Sequence, residues 1–223
     1  MKKKAGKILA IQHSKGGCSK STVSWNLAIE VSNETDYEVE VVDLDIQQTL
    51  TLNNYTRKNK GLKELNIRTF NEAKALKEYL EQANDSKLII VDTGGFDSGL
   101  NRVVALMSDM IITPVSDSKL ELQGLKKYEK ILEKTSAYSK EDLKAYVLLS
   151  RIDPRAKDLT GLNDFINKSK HFETLDTIIR TRIDYKKCFN YGKNVVEYKA
   201  SSKASIEIQK LQNEVLNILE GGK

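Results

Sequence analysis

The chain has 223 residues, 39% hydrophobic and 30% charged, and its 36 Lys plus Arg against 31 Asp plus Glu leave a formal net charge of +5. That length can bury a sizeable core without disulfides, and the mild basic excess permits a polyanionic partner without requiring one. Cys18 and Cys188 offer neither a disulfide framework nor zinc-ligand spacing, no run approaches the roughly 20 apolar residues of a membrane span, and the apolar stretch after Met1-Lys2-Lys3-Lys4 is too short for a secretory leader, so the expected setting is a reducing cytoplasm.

Ile8 to Ile11 reads as a short strand that runs into a Gly-containing loop. Residues 20–33 follow as a helix with Val23, Leu27 and Val31 on one face. Val39 to Val42 is a β-branched run, broken by Glu40 and followed by Asp43-Leu44-Asp45. A helical pattern covers 71–83 through Ala73, Leu76 and Leu80. Leu88 to Val91 is a buried strand ended by Asp92-Thr93-Gly94-Gly95, and Met110 to Thr113 is another, stopped by Pro114. A helix is expected over 118–135, a strand over Ala145 to Leu149, and a last helix over 201–219 with Ser201 or Ser202 as its cap. Strands apolar on both faces, separated by helices, predict an α/β fold: a doubly wound, mostly parallel sheet flanked by helices. With two prolines, no linker and no repeat, residues 1–223 are expected to form one domain.

The segment Lys15-Gly16-Gly17-Cys18-Ser19-Lys20-Ser21-Thr22 lies where the first strand should turn into the first helix. Backbone N–H groups and the helix dipole make such a turn an anion site. Gly16 and Gly17 clear the approach, Lys20 can reach the β- and γ-phosphates of a nucleotide, and Ser21 can ligate Mg²⁺. Two acidic clusters stand at later strand ends, where ligands of open parallel sheets sit: Asp43-Leu44-Asp45-Ile46-Gln47, and Asp92 after Leu88-Ile89-Ile90-Val91. An apolar run ending in Asp is the pattern that holds Mg²⁺ through water. Gly94 and Gly95 after it would let a switch loop move when the γ-phosphate is lost. Each Asp also has a plainer reading as a turn residue or helix cap.

Against the ordinary G-x-x-x-x-G-K-[ST] template the loop fits poorly, because Ser14 and Ser19 hold the glycine positions. It resembles instead the K-G-G-x-G-K-[ST] loop of the ParA/MinD family of deviant Walker A ATPases, at Lys15, Gly16, Gly17, Lys20 and Ser21, with Ser19 departing from the family's glycine. The resemblance extends to Asn26 in the first helix, to Asp43, Asp45 and Gln47 as D-x-D-x-Q, to Ser108 through Val115, and to Gly192 through Glu197 as G-x-x-V-x-E. It implies ATP and Mg²⁺ as cofactors, with residues 15–22 as the nucleotide loop. It further implies that Lys15 reaches the phosphates of a partner subunit in an ATP-bound homodimer, that Asp45 orients the attacking water, and that Ser21, Asp43 and Asp92 serve the metal.

Within that family the chain looks like the small partition type, which holds DNA non-specifically as a dimer and is released by hydrolysis that a ParB-like, centromere-bound partner stimulates. Such a protein would be cytoplasmic and nucleoid-associated, in a bacterium or archaeon, without an N-terminal helix-turn-helix domain. Between Arg151 and Lys203 there are 12 Lys or Arg against 7 Asp or Glu, with Arg180, Arg182, Lys186 and Lys187 densest and Lys199 and Lys203 nearby, so these six are the candidate DNA contacts. Rival readings are a MinD-like membrane-positioning ATPase, a hydrolysis-poor nucleotide-switched scaffold suggested by Ser19, and a monomeric ligase of the same fold. Glu207, Glu214 and Glu220 in the last helix argue against stable binding to an anionic membrane.

Overall fold

In the computed structural model, residues 6–156 and 160–222 are described. In chain order they form β1 (Lys7–Ile11), α1 (Lys20–Glu34), β2 (Glu38–Asp43), α2 (Thr49–Asn59), β3 (Asn66–Arg68), α3 (Ala73–Glu81), β4 (Lys87–Asp92) and α4 (Gly99–Met107). Then come β5 (Met110–Val115), α5 (Lys119–Ser139), β6 (Ala145–Ile152), α6 (Thr160–Lys168), β7 (Phe172–Arg180), α7 (Ile183–Phe189), α8 (Val195–Tyr198) and α9 (Lys203–Leu219).

The seven strands make one sheet in the order β3-β2-β4-β1-β5-β6-β7, and every pairing is parallel, where the sequence had indicated a mostly parallel sheet. The central strand β1 lies between β4 and β5, so the chain changes direction across the sheet beside it. In register, Ile11 pairs with Asp92 and Asp92 with Asp43, which brings three strand ends to one level. Alternate residues of each central strand serve opposite layers. Leu9, Ile11, Leu88, Ile90 and Ile112 pack against α1 and α9, while Ile8, Ala10, Ile89, Val91 and Ile111 pack against α3, α4 and α5. This explains strands that read as unbroken apolar runs.

The expected helix over 20–33 is present but is not one-sided. Every residue from Val23 to Val31 is buried. Beneath it lies the sheet; above it, the Trp25 indole donates to Lys193 O at 2.9 Å and Asn26 Oδ1 accepts from Val195 N at 2.9 Å. A helix covered on both sides buries its whole circumference, and the polar Ser24, Asn26 and Glu30 within it each hold a hydrogen bond. Helix α3 is shorter than 71–83, α5 runs four residues past 135, and of the two cap candidates for the last helix Ser202 accepts from Ser205 N. Glu40 interrupts β2 without breaking it. Its buried carboxylate is matched by Lys87 and accepts from the Tyr79 hydroxyl.

Helix α9 packs on the core through Ile208, Leu211, Val215 and Leu219. Its acids, read from the sequence as a barrier to membrane binding, have a nearer use. Glu214 accepts from Asp176 N and Thr177 N at 2.6 and 3.0 Å, and Glu207 from Arg180 N at 3.2 Å. They occupy outward amides of β7, an edge strand that would otherwise be open to pairing with another chain. Among the described residues no helix is long and apolar enough to cross a membrane.

Helix α2 is tied to α8 by one buried pair. The Arg57 guanidinium, 3% exposed, bonds both carboxylate oxygens of Glu197 at 2.7 and 2.8 Å and also donates to Gly192 O. Removing one partner strands the other in a poorly solvated place. Replacing Arg57 with Met should therefore cost about 3–5 kcal/mol of unfolding free energy. Urea denaturation measures this, and a loss below about 1 kcal/mol would show that Glu197 is solvated without its partner.

Candidate functional site

Three strand ends and two helix starts meet at the loop between β1 and α1. Its backbone turns twice through the left-handed region, at Gly17 (φ 77°) and at Ser19 (φ 77°). Glycine adopts that conformation freely, whereas Ser19 does so against the bulk of its Cβ. Ser19 is the N-cap of α1, yet its hydroxyl makes no capping bond, and no acidic residue stands in the helix's first turn. The positive end of a 15-residue helix therefore faces the loop uncompensated. Gly16 and Gly17 are exposed, and a Cβ added at either would meet nothing within 4 Å. The space above the loop is open to an anion.

Lys20 is buried at 5% exposure and folds its ammonium under the loop, 3.0 Å from Lys15 O and 3.8 Å from Cys18 Sγ. Cys18 is a buried free thiol that donates to Lys15 O at 3.3 Å, and burial raises its pKa, so it serves packing. Ser21 and Thr22 lie in the first turn of α1, at the loop's edge. Lys15 stands at the rim, 38% exposed, and pairs at 2.7 Å with Glu121 from the first turn of α5. Behind it, His13 accepts from Lys15 N on Nδ1 at 3.0 Å and stacks on Tyr128. Burial, with Lys20 and Lys15 nearby, lowers the His13 pKa to about 4, so the imidazole is neutral.

Asp92 ends β4 fully buried. Ser24 of α1 donates to its Oδ1 at 3.0 Å, and its Oδ2 has no partner. Burial pushes its pKa up to about 7, against the opposing pull of Ser21 and Ser24. A buried carboxyl oxygen left open beside Ser21 is what a magnesium–water shell requires. Asp43 is occupied differently. Its carboxylate accepts from Thr51 N and Thr51 Oγ1, both at 3.0 Å, and from Asp45 N at 3.3 Å, holding the start of α2. Asp45 Oδ1 accepts from Gln47 N at 3.0 Å, a turn bond. The plainer reading of these two residues is thus the one seen in their bonds.

The loop after Asp92 lies directly against the β1–α1 loop: a Cβ at Gly95 would lie 2.5 Å from Gly16 N, so this glycine lets the two loops touch. The six basic residues are spread over two adjoining hollows and the open surface beside them. Arg180, Arg182 and Lys186 line a cleft of about 490 Å³ together with Ser19, Ser21 and Thr22. Arg182 pairs with Glu207 at 2.6 Å and Arg180 donates to Asp153 O at 3.1 Å. Lys186, Lys187, Lys199 and Lys203 are exposed, and Lys203 lines a groove along α9 that Arg180 and Arg182 also line.

Two residues of the site escaped the sequence reading. Glu121 carried a signal, as an acid in the first turn of a predicted helix just after a strand. Arg151 follows the predicted strand Ala145–Leu149. It takes a left-handed φ of 58° and donates to Gly17 O across the cleft.

The profile of the CobQ/CobB/MinD/ParA nucleotide binding domain matches residues 9–195, and the chain belongs to that family. Among solved structures it is similar to a Borrelia burgdorferi protein assigned to plasmid partition and bound to AMPPNP, with 18% identity, TM-score 0.73, and coverage of 96% of this chain and 99% of that one. It is also similar to a substituted form of Cyanothece McdA in complex with ATP (15%, TM-score 0.68, 99% and 98%) and to the Pyrococcus horikoshii septum site-determining protein MinD with Mg-ADP (18%, TM-score 0.70, 97% and 98%). At these identities the likeness establishes the fold. No curated protein sequence matches the chain.

The Asp92 carboxyl sets a pH dependence. Its pKa rises from about 3.9 in the unfolded chain to about 7 in the fold. The folded state prefers the proton, so metal-free, nucleotide-free protein loses stability as pH climbs from about 4 to about 7, by roughly 4 kcal/mol in all. Asp92→Asn removes this loss. The difference in Tm between variant and parent should widen over that window and stay constant above it, and a flat difference would show that Asp92 titrates normally. Ser19→Gly should raise stability by about 1 kcal/mol by relieving the left-handed serine. Chemical denaturation at one pH tests it, and a destabilised variant would contradict the strain.

Proposed function

We propose that this member of the family binds ATP with Mg²⁺ at the β1–α1 loop, dimerises across that face, and in the dimer holds DNA non-specifically until hydrolysis, stimulated by a ParB-like partner, releases it. The observation that carries the reading is the open, uncompensated N-terminus of α1, set between Lys15, Lys20 and the unpartnered oxygen of Asp92. Residues 15–22 cradle the phosphates, Lys20 turns its ammonium onto them, and the nucleoside extends toward the cleft of Ser19, Arg151 and Arg180. Among the described residues no cluster of three or more His, Cys, Asp and Glu forms a metal site. Ser21 and Asp92 fit a metal that arrives with the nucleotide, and Asp43 stands one strand further out. The ion, when bound, neutralises charge on the phosphates. Asp45 orients the attacking water once its turn bond is exchanged.

Dimerisation is supported by what surrounds the loop. Ile46, Phe96 and Leu120 are large apolar side chains exposed by 79%, 46% and 66%, and each follows a strand end on the same edge of the sheet. Lys15 stands among these segments, able to exchange Glu121 for a phosphate on a second subunit. With Arg180, Arg182 and Lys186 at the cleft, Lys187, Lys199 and Lys203 are the stronger candidates for DNA phosphate. One observation favours the hydrolysis-poor scaffold as second reading: the left-handed Ser19 sits in the phosphate loop itself.

Light scattering should give twice the chain mass with ATP and Mg²⁺ and a single chain mass with ADP. Lys15→Ala should still bind nucleotide while losing the dimer, whereas Lys20→Ala should lose nucleotide binding by at least a hundredfold. DNA retention by the ATP form should weaken steeply as salt rises. A monomer under every nucleotide condition, or DNA affinity indifferent to ATP, would refute the reading.

A further inference from the structure

A groove of about 670 Å³ lies between α4 and α5. Its floor is apolar: Val103 and Leu106 from α4 and Ile131 from α5, each half-buried. Along one side α5 sets Lys127, Lys130 and Lys134 at intervals of three and four residues, so they share a helix face with Ile131. All three are exposed, and none forms an ion pair with a described carboxylate. The one acid in the lining, Asp97, is taken by Arg102 in two bonds of 3.0 and 2.6 Å. Tyr138, 88% exposed, closes the far end.

We propose that this groove docks an acidic amphipathic segment of a partner protein. The face from Lys127 to Tyr138 spans about 16 Å of helix axis, which suits roughly three turns of a helix with apolar residues on one side and Asp or Glu beside them. Charge complementarity selects the sign: three lysines line the groove and the one carboxylate in its lining is already bonded to Arg102, so the surface repels a basic segment and attracts an acidic one. The concave apolar floor separates this surface from one that grips nucleic acid. A phosphodiester backbone has nothing to bury against Val103, Leu106 and Ile131, whereas leucine-like side chains do.

The groove reaches the nucleotide loop through its two helices. In the first turn of α4, Asn101 donates from Nδ2 to Gly94 O and Phe96 O, fixing the segment after Asp92. The first turn of α5 carries Glu121, which holds Lys15. A segment wedged between α4 and α5 therefore bears on both. Docking itself requires no nucleotide, so it stands or falls apart from the ATP-driven cycle.

The test is a methyl NMR titration of the full chain, without nucleotide, with a synthetic 14-residue Glu/Leu amphipathic peptide and its Lys/Leu counterpart. The acidic peptide should shift the Val103, Leu106 and Ile131 methyls in a saturable way, and the basic one should leave them unmoved. The Lys130→Glu/Lys134→Glu variant, altered only at exposed positions, should bind the acidic peptide at least tenfold more weakly, and added salt should weaken the parent complex. Equal binding of both peptides, no saturation at millimolar peptide, or an unchanged affinity in the double variant would overturn the proposal. So would duplex DNA shifting the same methyls more strongly, which would assign the groove to nucleic acid.

Discussion

Strand β1 delivers the chain into a helix whose first turn contains nothing negative, and the surroundings keep it that way. The N–H groups at the start of α1 and the ammonium of Lys20 concentrate positive field at one loop. Three carboxyl groups stand near that field, and each is engaged elsewhere or has its ionisation disfavoured by burial. Asp43 is bonded to the start of α2, Glu121 is paired with Lys15, and Asp92 is buried until its pKa approaches neutrality. A helix end left unanswered in this way binds the anion that its own chain withholds.

Holding such a loop open has structural costs, and the fold meets them by direct contact. Ser19 accepts a left-handed backbone, Arg151 does the same in order to reach Gly17 O, and Gly95 gives up its side chain so that the Asp92 loop can lie on Gly16. Ser24 ties α1 to the end of β4. These contacts join three separate stretches of chain, the first two brought together because parallel pairing sets Ile11 and Asp92 at one level. The left-handed turns persist because their neighbours leave the loop no relaxed alternative.

What could be read in the sequence follows from which forces are local. Ile8–Ile11, Leu88–Val91 and Met110–Thr113 are buried on both faces, and such runs announce themselves without a tertiary context. Strand β7 gave no such signal because it is an edge, where buried Phe172, Leu175 and Ile179 alternate irregularly with polar residues whose backbone is satisfied by α9. Helix α2 was invisible for a similar reason. Leu50 is its one buried apolar residue, and it is fixed by Asp43 at one end and by Arg57–Glu197 at the other. The phosphate loop was legible because its chemistry is contiguous in the chain. The engagement of Arg180 and Arg182 was not, since their partners, Asp153 O and Glu207, lie 27 and 25 residues away.

The Lys15–Glu121 pair shows how a rim residue can be both placed and available. An ammonium left wholly free would sample many rotamers, and fixing it on a second molecule's phosphate would cost about 2 kcal/mol of side-chain entropy. Glu121 has already restricted it. Because Lys15 remains 38% exposed, water screens the pair, and its strength is of the order of 1 kcal/mol. A phosphate with a higher charge and more acceptor oxygens outcompetes a single carboxylate at that strength. Glu121 then keeps a buried, uncompensated charge, since its second oxygen already lacks a partner. On the proposed reading the released carboxylate favours the return of Lys15 once the phosphate leaves, so the same contact that orders the lysine before assembly also draws the dimer apart afterwards.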